Sequence, residues 1–123
     1  MLNSSVTLIF FTGKLLLCLF FLLSGFSKIF RNKMMVEYAT SKHLPIPSIS
    51  VILAAIIELG GAFIVIIGYH TRIASLILFV YLIPTSLIFH NFWAAGEAEK
   101  QNQFINFMKN LAIMGGLLIL AAH

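Results

Sequence analysis

Hydrophobic residues run along this chain in four long stretches, separated by short segments that hold most of the charged residues. The stretches cover residues 5–30, 49–69, 72–93 and 104–122. Each is close to, or just above, the ~17–25 residues that an α-helix needs to cross a bilayer. The pattern therefore predicts an all-α integral membrane protein, a bundle of four transmembrane helices that forms a single domain over residues 1–123.

The connectors between these stretches predict how the helices are joined. The first connector holds a Pro-x-Pro segment at residues 45–47, which blocks a helix until the second span begins. Before it, residues 34–40 fit a short helix at the membrane surface. Residues 68–72 predict a tight turn between the second and third spans, with Thr71 as the N-cap. Residues 94–103 have no apolar period and predict a solvated loop.

An even number of spans places both chain ends on the same side of the membrane as the turn at residues 68–72. We call this side the terminal face, and the side that holds the first and third connectors the basic face. The basic face collects five cations: Lys28, Arg31, Lys33, Lys42 and Lys100. Because Lys and Arg in short loops favour the cytoplasmic side, we expect the basic face to be cytoplasmic and both chain ends to lie outside.

Composition narrows the class of protein. The chain is 60% hydrophobic and 10% charged, whereas soluble domains are ~45–50% apolar and ~25% charged. An ordinary soluble protein is therefore excluded. The net charge of +4 comes from scattered Lys and Arg residues, so the expected anionic partner is the lipid bilayer and not nucleic acid. Cys18 is the only cysteine, which excludes an intrachain disulfide and a paired-thiol mechanism.

Glu58 is the only acidic residue inside a predicted span. Ala and Gly residues one turn before and after it let another helix approach closely, and a carboxylate in such an interface is either neutral or paired with a cation. Lys109 enters from the same face with a long flexible side chain, so we predict an ion pair between Glu58 and Lys109. Lys28 and His90 are predicted at the rim, and Asn110 in the wall, of a polar funnel that opens at the basic face.

Two interpretations of this funnel stay open, since a buried ion pair can either fix helix register or form part of a ligand site. Lys14 and Arg72 lie near helix ends, where long basic side chains ordinarily reach lipid head groups. His90 also fits an aromatic belt with Phe92 and Trp93.

The sequence predicts no metal site and no tightly bound cofactor, because it lacks a Cys pair, a bis-His haem pattern and a Gly-rich phosphate loop. It assigns no catalytic residue.

Several short segments, spaced over nearly the whole chain, carry a family resemblance. They are Ser24 to Lys28, Leu44 to Pro47, Glu58 in the second span, Gly68 to Ala74, His90 near the end of the third span, and Asn106 to Ala112. In this order and at these spacings they resemble the DoxX family of small bacterial four-helix membrane proteins. The resemblance implies a multi-pass protein of the bacterial inner membrane.

The DoxX family takes its name from a subunit of an archaeal thiosulfate:quinone oxidoreductase, and relatives are linked with membrane redox complexes and oxidative stress defence. The resemblance therefore implies an accessory or quinone-proximal subunit of a membrane redox system, with quinone as a ligand and redox subunits as partners. Such a chain would be a non-catalytic subunit of an oxidoreductase. Two alternatives are a proton-coupled small-molecule transporter that uses Glu58 in a homo-oligomer, and a purely structural membrane anchor. Cations in the funnel disfavour export of cationic drugs.

Overall fold

The computed structural model describes residues 4–123, so the first three residues of the predicted domain lie outside the described part of the chain. Within it the secondary structure is helical, with no strand. The elements are α1 (Ser4–Phe30), α2 (Asn32–Ser41), α3 (Pro47–Ile67), α4 (Thr71–Phe89), a 3₁₀ turn (Phe92–Ala94) and α5 (Glu97–Ala122). Four of these helices, α1, α3, α4 and α5, are long and apolar enough to cross a membrane. The predicted all-α membrane bundle of four spanning helices is confirmed.

Helix α2 confirms the short helix predicted before the Pro-x-Pro segment, and it lies against the basic-face end of the bundle. The Tyr38 hydroxyl donates to the Phe89 carbonyl at 3.1 Å, and Lys42 Nζ donates to Asn91 Oδ1 at 3.0 Å. Both bonds tie α2 and its C-terminal end to the end of α4. Helix α3 then begins at Pro47, a residue suited to the first helical turn because its missing N–H would have no helical partner there.

Two residues with left-handed backbone close the turn between α3 and α4. Gly68 has φ +87° and follows α3, and His70 has φ +52° and precedes α4. The N-cap is therefore His70, and the prediction of Thr71 is wrong by one residue because Thr71 already has helical geometry. Near this turn the Phe10 ring stacks on the His123 ring, with 3.9 Å between centroids. The beginning of α1 and the end of α5 thus share the terminal face, as predicted.

The connector before the last span is mostly helical. Helix α4 ends at Phe89 and the 3₁₀ turn follows it, so the candidate span runs over Thr71–Ala94, in agreement with the predicted 72–93. Helix α5 begins at Glu97, before the predicted start of the last span at residue 104. The solvated loop predicted over residues 94–103 is therefore wrong for most of its length. Acidic residues such as Glu97 and Glu99 stabilise the positive end of a helix dipole, and the Ala, Lys and Gln residues around them favour helix. The polar composition of this segment indicates an exposed helix.

The hydrophobic core lies between the middle of the bundle and the terminal face. Its largest fully buried side chains are Phe21, Leu78, Leu82, Leu117, Val65, Cys18 and Ser75. Gly61 of α3 lies so close to α4 that a Cβ atom there would be 2.9 Å from Leu78 Cγ. Small residues permit this close approach of neighbouring helices, so the terminal-face half is the tightly packed part of the bundle.

Candidate functional site

A cavity of about 350 Å³ lies between the helices in the basic-face half of the bundle. All five residues predicted for the polar funnel line it: Lys28, Glu58, His90, Lys109 and Asn110. Met35 and Tyr38 of α2 and Leu44 of the following connector contribute to its lining from the basic face. The structure thus brings the predicted residues together around one space and adds α2 as a cap.

Glu58 pairs with Lys28, and the predicted ion pair with Lys109 is wrong. Lys28 Nζ lies 2.8 Å from Glu58 Oε1, and the Glu58 side chain is only 3% exposed. The same Nζ also donates to Ser24 Oγ at 2.8 Å. Glu58 Oε1 receives no hydrogen bond of good angle within the described residues, so the contact with Lys28 is chiefly one of opposite charges. Lys28 therefore lies at the base of the cavity, where the sequence predicted it at the rim.

Helix packing explains why Lys28 is the partner. A Cβ atom at Gly25 of α1 would lie 2.6 Å from Leu59 Cγ of α3, so the two backbones come very close at this level. Lys28 follows Gly25 by about one turn and Glu58 precedes Leu59 by one residue, so both side chains meet there. Lys109 is carried by α5, which packs mainly on α4. Depth along the membrane could be read from the sequence, whereas the identity of neighbouring helices could not.

Lys109 marks an opening in the side of the bundle. It lines the cavity and is nevertheless exposed, and its Nζ lies 5.8 Å from the centroid of the Phe20 ring of α1. Closer to the terminal face α1 and α5 touch, since a Cβ atom at Gly116 would be 3.6 Å from the Leu17 side chain. At Lys109, beside Phe20 of α1, the wall of the cavity therefore reaches the outer surface of the bundle.

Asn110 and His90 are held on the wall that α4 and α5 form. Asn110 is buried and donates from Nδ2 to Ser86 Oγ at 3.1 Å. His90 Nδ1 lies 3.0 Å from Gln103 Oε1, within hydrogen-bonding distance. Each pair joins α4 to α5, so these contacts fix both cavity residues and also hold the two helices together.

Tyr81 is the cavity residue next to Glu58 that sequence reasoning missed. Its phenol on α4 interacts with the Glu58 carboxylate, so the acid has a cation from α1 on one side and a hydroxyl from α4 on another. The sequence does indicate that Tyr81 and Glu58 are close, because the two residues are equally far from the tight turn. Glu58 precedes Gly68 by ten residues, and Tyr81 follows Thr71 by ten. Antiparallel helices joined by such a turn place the two residues at the same depth.

The cavity combines apolar walls with a few polar groups at defined places. Lys28, Tyr81 and Lys109 can donate hydrogen bonds to a ligand, and Glu58 can accept one or exchange a proton. Residues 4–123 contain no group of three His, Cys, Asp or Glu side chains arranged to hold a metal ion. The arrangement therefore suits the polar head of a mostly apolar molecule.

Comparison with known proteins identifies the relatives of this chain. The family model of DoxX matches residues 9–91. The chain is 32% identical over 110 residues to inner membrane protein YphA of Escherichia coli (strain K12), which covers 89% of this chain and 78% of that protein. Its identity to inner membrane protein YqjF of the same organism is 29% over 109 residues, with the same coverage. No solved structure matches the chain significantly. This chain is an inner-membrane protein that belongs to the DoxX family.

Proposed function

We propose that this chain binds the head group of a lipid-soluble quinone in its cavity, as an accessory subunit of a membrane redox system. The observation that carries the proposal is a cavity of about 350 Å³ with the Lys28–Glu58 ion pair at its base and a side opening to lipid. Ligand sites in proteins occupy ~300–1,000 Å³ and combine apolar walls with a few polar groups. A single quinone ring is a ligand of suitable size and polarity.

The polar groups of the cavity match the two ends of a quinone ring. Quinone carbonyls accept hydrogen bonds, and the cavity supplies donors at two separate places. Lys28 and Tyr81 lie at the base around Glu58, and Lys109 lies at the side opening. Other lining residues, among them Val51, Leu82 and Ile88, are apolar and would exclude water from the ring.

The side opening supports a ligand that arrives from the bilayer. A quinone tail is apolar and can stay in lipid while the ring enters between α1 and α5. Lys109 lies five residues inside the predicted span 104–122 and is exposed there, and a cation inside a spanning helix is costly, by up to ~2.5–3.5 kcal/mol at its centre on insertion scales. A polar ligand group at the opening would offset that cost.

Electron transfer itself needs a partner subunit under this proposal. The chain carries no sequence motif for a haem, a flavin or an iron–sulfur cluster. Its role is to hold the quinone ring near a partner that has such a centre. When the partner reduces the quinone to quinol with two electrons, protonated Glu58 can pass one proton to a quinone oxygen, and its carboxylate can take the proton back when the quinol is oxidised.

Purification of the tagged chain from its native membrane, with measurement of co-eluting quinone and proteins, tests the proposal. We expect quinone and an oxidoreductase to co-elute with the wild type. Lys109→Met should lower the quinone content by about tenfold, because a donor to a carbonyl is lost at the opening. Lys33→Met is the matched control: it removes an exposed cation of α2 that does not line the cavity, and it should leave the quinone content unchanged.

Other outcomes of this experiment point to the alternatives. A chain recovered alone, without quinone and without an oxidoreductase, contradicts the proposal. In that case, resistance to lipophilic cations that Glu58→Gln abolishes would support a proton-coupled transporter. If cavity substitutions act only in proportion to the loss of folded protein, a structural anchor is the better account.

A further inference from the structure

A second cavity, of about 540 Å³, opens on the terminal face, at the other end of the bundle from the first. It lies between the second and third turns of α1, the turn that joins α3 to α4, and the end of α5. Its charged and titratable residues are Lys14, His70, Arg72 and His123. The four come from three different parts of the chain, so the fold itself gathers them.

The lining of this cavity contains no acidic side chain. The chain has only four acidic residues, and each lies elsewhere: Glu37 on α2, Glu97 and Glu99 at the start of α5, and Glu58 in its pair with Lys28. Within residues 4–123, no acidic side chain pairs with Lys14 or Arg72, and the main-chain carboxylate of His123 is the one anionic group at the cavity. Two cations against one carboxylate leave a positive charge there, which attracts an anion from outside the chain.

The cation side chains are held in place by contacts that leave their charges available. Arg72 donates from Nε to the Ala121 carbonyl at 2.8 Å, which fixes the guanidinium and leaves its two terminal amino groups to bind an anion. Lys14 Nζ lies 5.8 Å and 5.4 Å from the ring centroids of Phe10 and Phe11. It also lies beside the turn, 3.8 Å from where a Cβ of Gly68 would be.

The position of the cavity relative to the membrane surface indicates which kind of anion it binds. Because Lys14 lies level with the turn at Gly68, it is at the membrane surface and not in the apolar interior. Phosphate groups of lipids lie at this level. An arginine with two free amino groups together with a lysine suits the several oxygens of a phosphate, which guanidinium groups bind with paired hydrogen bonds.

We propose that the terminal-face cavity binds a phosphate group through Lys14 and Arg72, with His70 and His123 at its edge. The group can belong to the head of an anionic phospholipid or to a phosphate ion in solution. Single basic residues that reach toward the head groups at random would account for one or two of these side chains. They do not account for two cations and two imidazoles that the fold gathers from three parts of the chain around one cavity.

Titration of the purified full chain in a neutral detergent with short-chain phosphatidylglycerol tests the proposal. Short-chain phosphatidylcholine, which has no net charge, serves as the comparison lipid. We expect the wild type to bind phosphatidylglycerol about tenfold more tightly than phosphatidylcholine, with an affinity that falls as salt rises. Equal affinity for the two lipids, or no binding of phosphatidylglycerol, overturns the proposal without need of a variant.

Substitutions of the cavity residues then test whether phosphatidylglycerol binds in this cavity. Lys14→Gln combined with His70→Gln should weaken phosphatidylglycerol binding by about tenfold, and Arg72→Lys, which keeps the charge but loses the paired donors, should weaken it less. Lys33→Gln on the basic face is the matched control and should bind as the wild type does. An affinity of the cavity variants equal to that of Lys33→Gln overturns the proposal.

Competition with inorganic phosphate distinguishes the two sources of the group. If phosphate ion displaces phosphatidylglycerol from the wild type but not from the cavity variants, the site takes phosphate from solution as well. If phosphate ion does not compete while the lipid preference persists, the site takes the phosphate of a lipid head group. Both results support the cavity as a phosphate site, and neither depends on the quinone proposal.

Discussion

The same four spanning helices pack into a core in the terminal-face half of the bundle, beneath the cavity that opens at that end, and leave a cavity between them in the basic-face half. Two alanines show how the halves differ. Ala54 lies four residues before Glu58 on α3 and Ala62 lies four residues after it, so the sequence alone gives no reason to expect different surroundings for the two. Ala62 is 0% exposed and belongs to the core, whereas Ala54 lines the cavity. A small residue thus brings helices together in the terminal-face half and leaves room between them in the basic-face half.

Glu58 lies at the boundary between these halves, and its ion pair is where we expect the largest effects. Lys28→Met should lower the free energy of unfolding by up to ~3–5 kcal/mol, the cost reported for leaving one member of a buried ion pair alone. Lys109→Met leaves the pair intact and should stay within ~0.5 kcal/mol of the wild type. Unfolding by titration with a denaturing detergent in mixed micelles measures both changes.

The double variant Lys28→Met with Glu58→Gln removes both charges and should recover most of the lost stability, because no unpaired charge remains in the bundle. The comparison between the two single variants, Lys28→Met and Lys109→Met, is the one that tests which lysine pairs with Glu58. If Lys109→Met destabilises the chain as much as Lys28→Met does, the acid is paired with Lys109 and the packing described for α1 and α3 is incorrect.

Matched substitutions at the two alanines test the contrast between the halves. Ala62→Leu adds volume to a filled interface and should cost ~1–3 kcal/mol of unfolding free energy, as overpacking does in other cores. Ala54→Leu places the same atoms in the cavity and should change stability by no more than ~0.5 kcal/mol. Equal losses for the two variants in the same unfolding titration would show that the cavity closes in solution.

The contrast between the halves also shows how far the sequence alone could lead. The four spans, the short helix α2 and the five cavity residues follow from hydrophobic stretches and from polar residues that lipid does not explain. Each of these features can be predicted from one helix without knowing which helices are its neighbours. The partner of Glu58 depends on which helices are neighbours, and that was set by the close approach of Gly25 to Leu59, which no periodicity reveals.

The error in the third connector has a different physical cause. Residues 94–103 are polar, and a polar segment without an apolar period predicts a loop. The segment from Glu97 onward is helical, since its residues favour helix whether or not it is buried. Hydrophobic patterns detect where a helix enters the membrane and not where it begins.

A smaller effect is expected from the cap that α2 forms over the cavity. Tyr38→Phe removes the hydrogen bond to the Phe89 carbonyl, a contact worth ~0.5–1.5 kcal/mol. We expect faster hydrogen exchange of the α2 amides with little change in global unfolding, because the bond holds only this element to α4. Ser41→Ala is the control, since it removes a bond within α2 to the Tyr38 carbonyl. Identical exchange in both variants would show that the tyrosine does not hold the cap.

The most direct test of the central claim, that the cavity in the basic-face half is a quinone site, is a titration with a short-tailed quinone. The purified chain in nanodiscs should bind it saturably, and Ala54→Leu should weaken binding by about tenfold because the added side chain occupies the cavity. Ala112→Leu makes the same change on the exposed surface of α5 and should bind as the wild type does. No saturable binding by the wild type, or equal affinities for Ala54→Leu and Ala112→Leu, would contradict the claim.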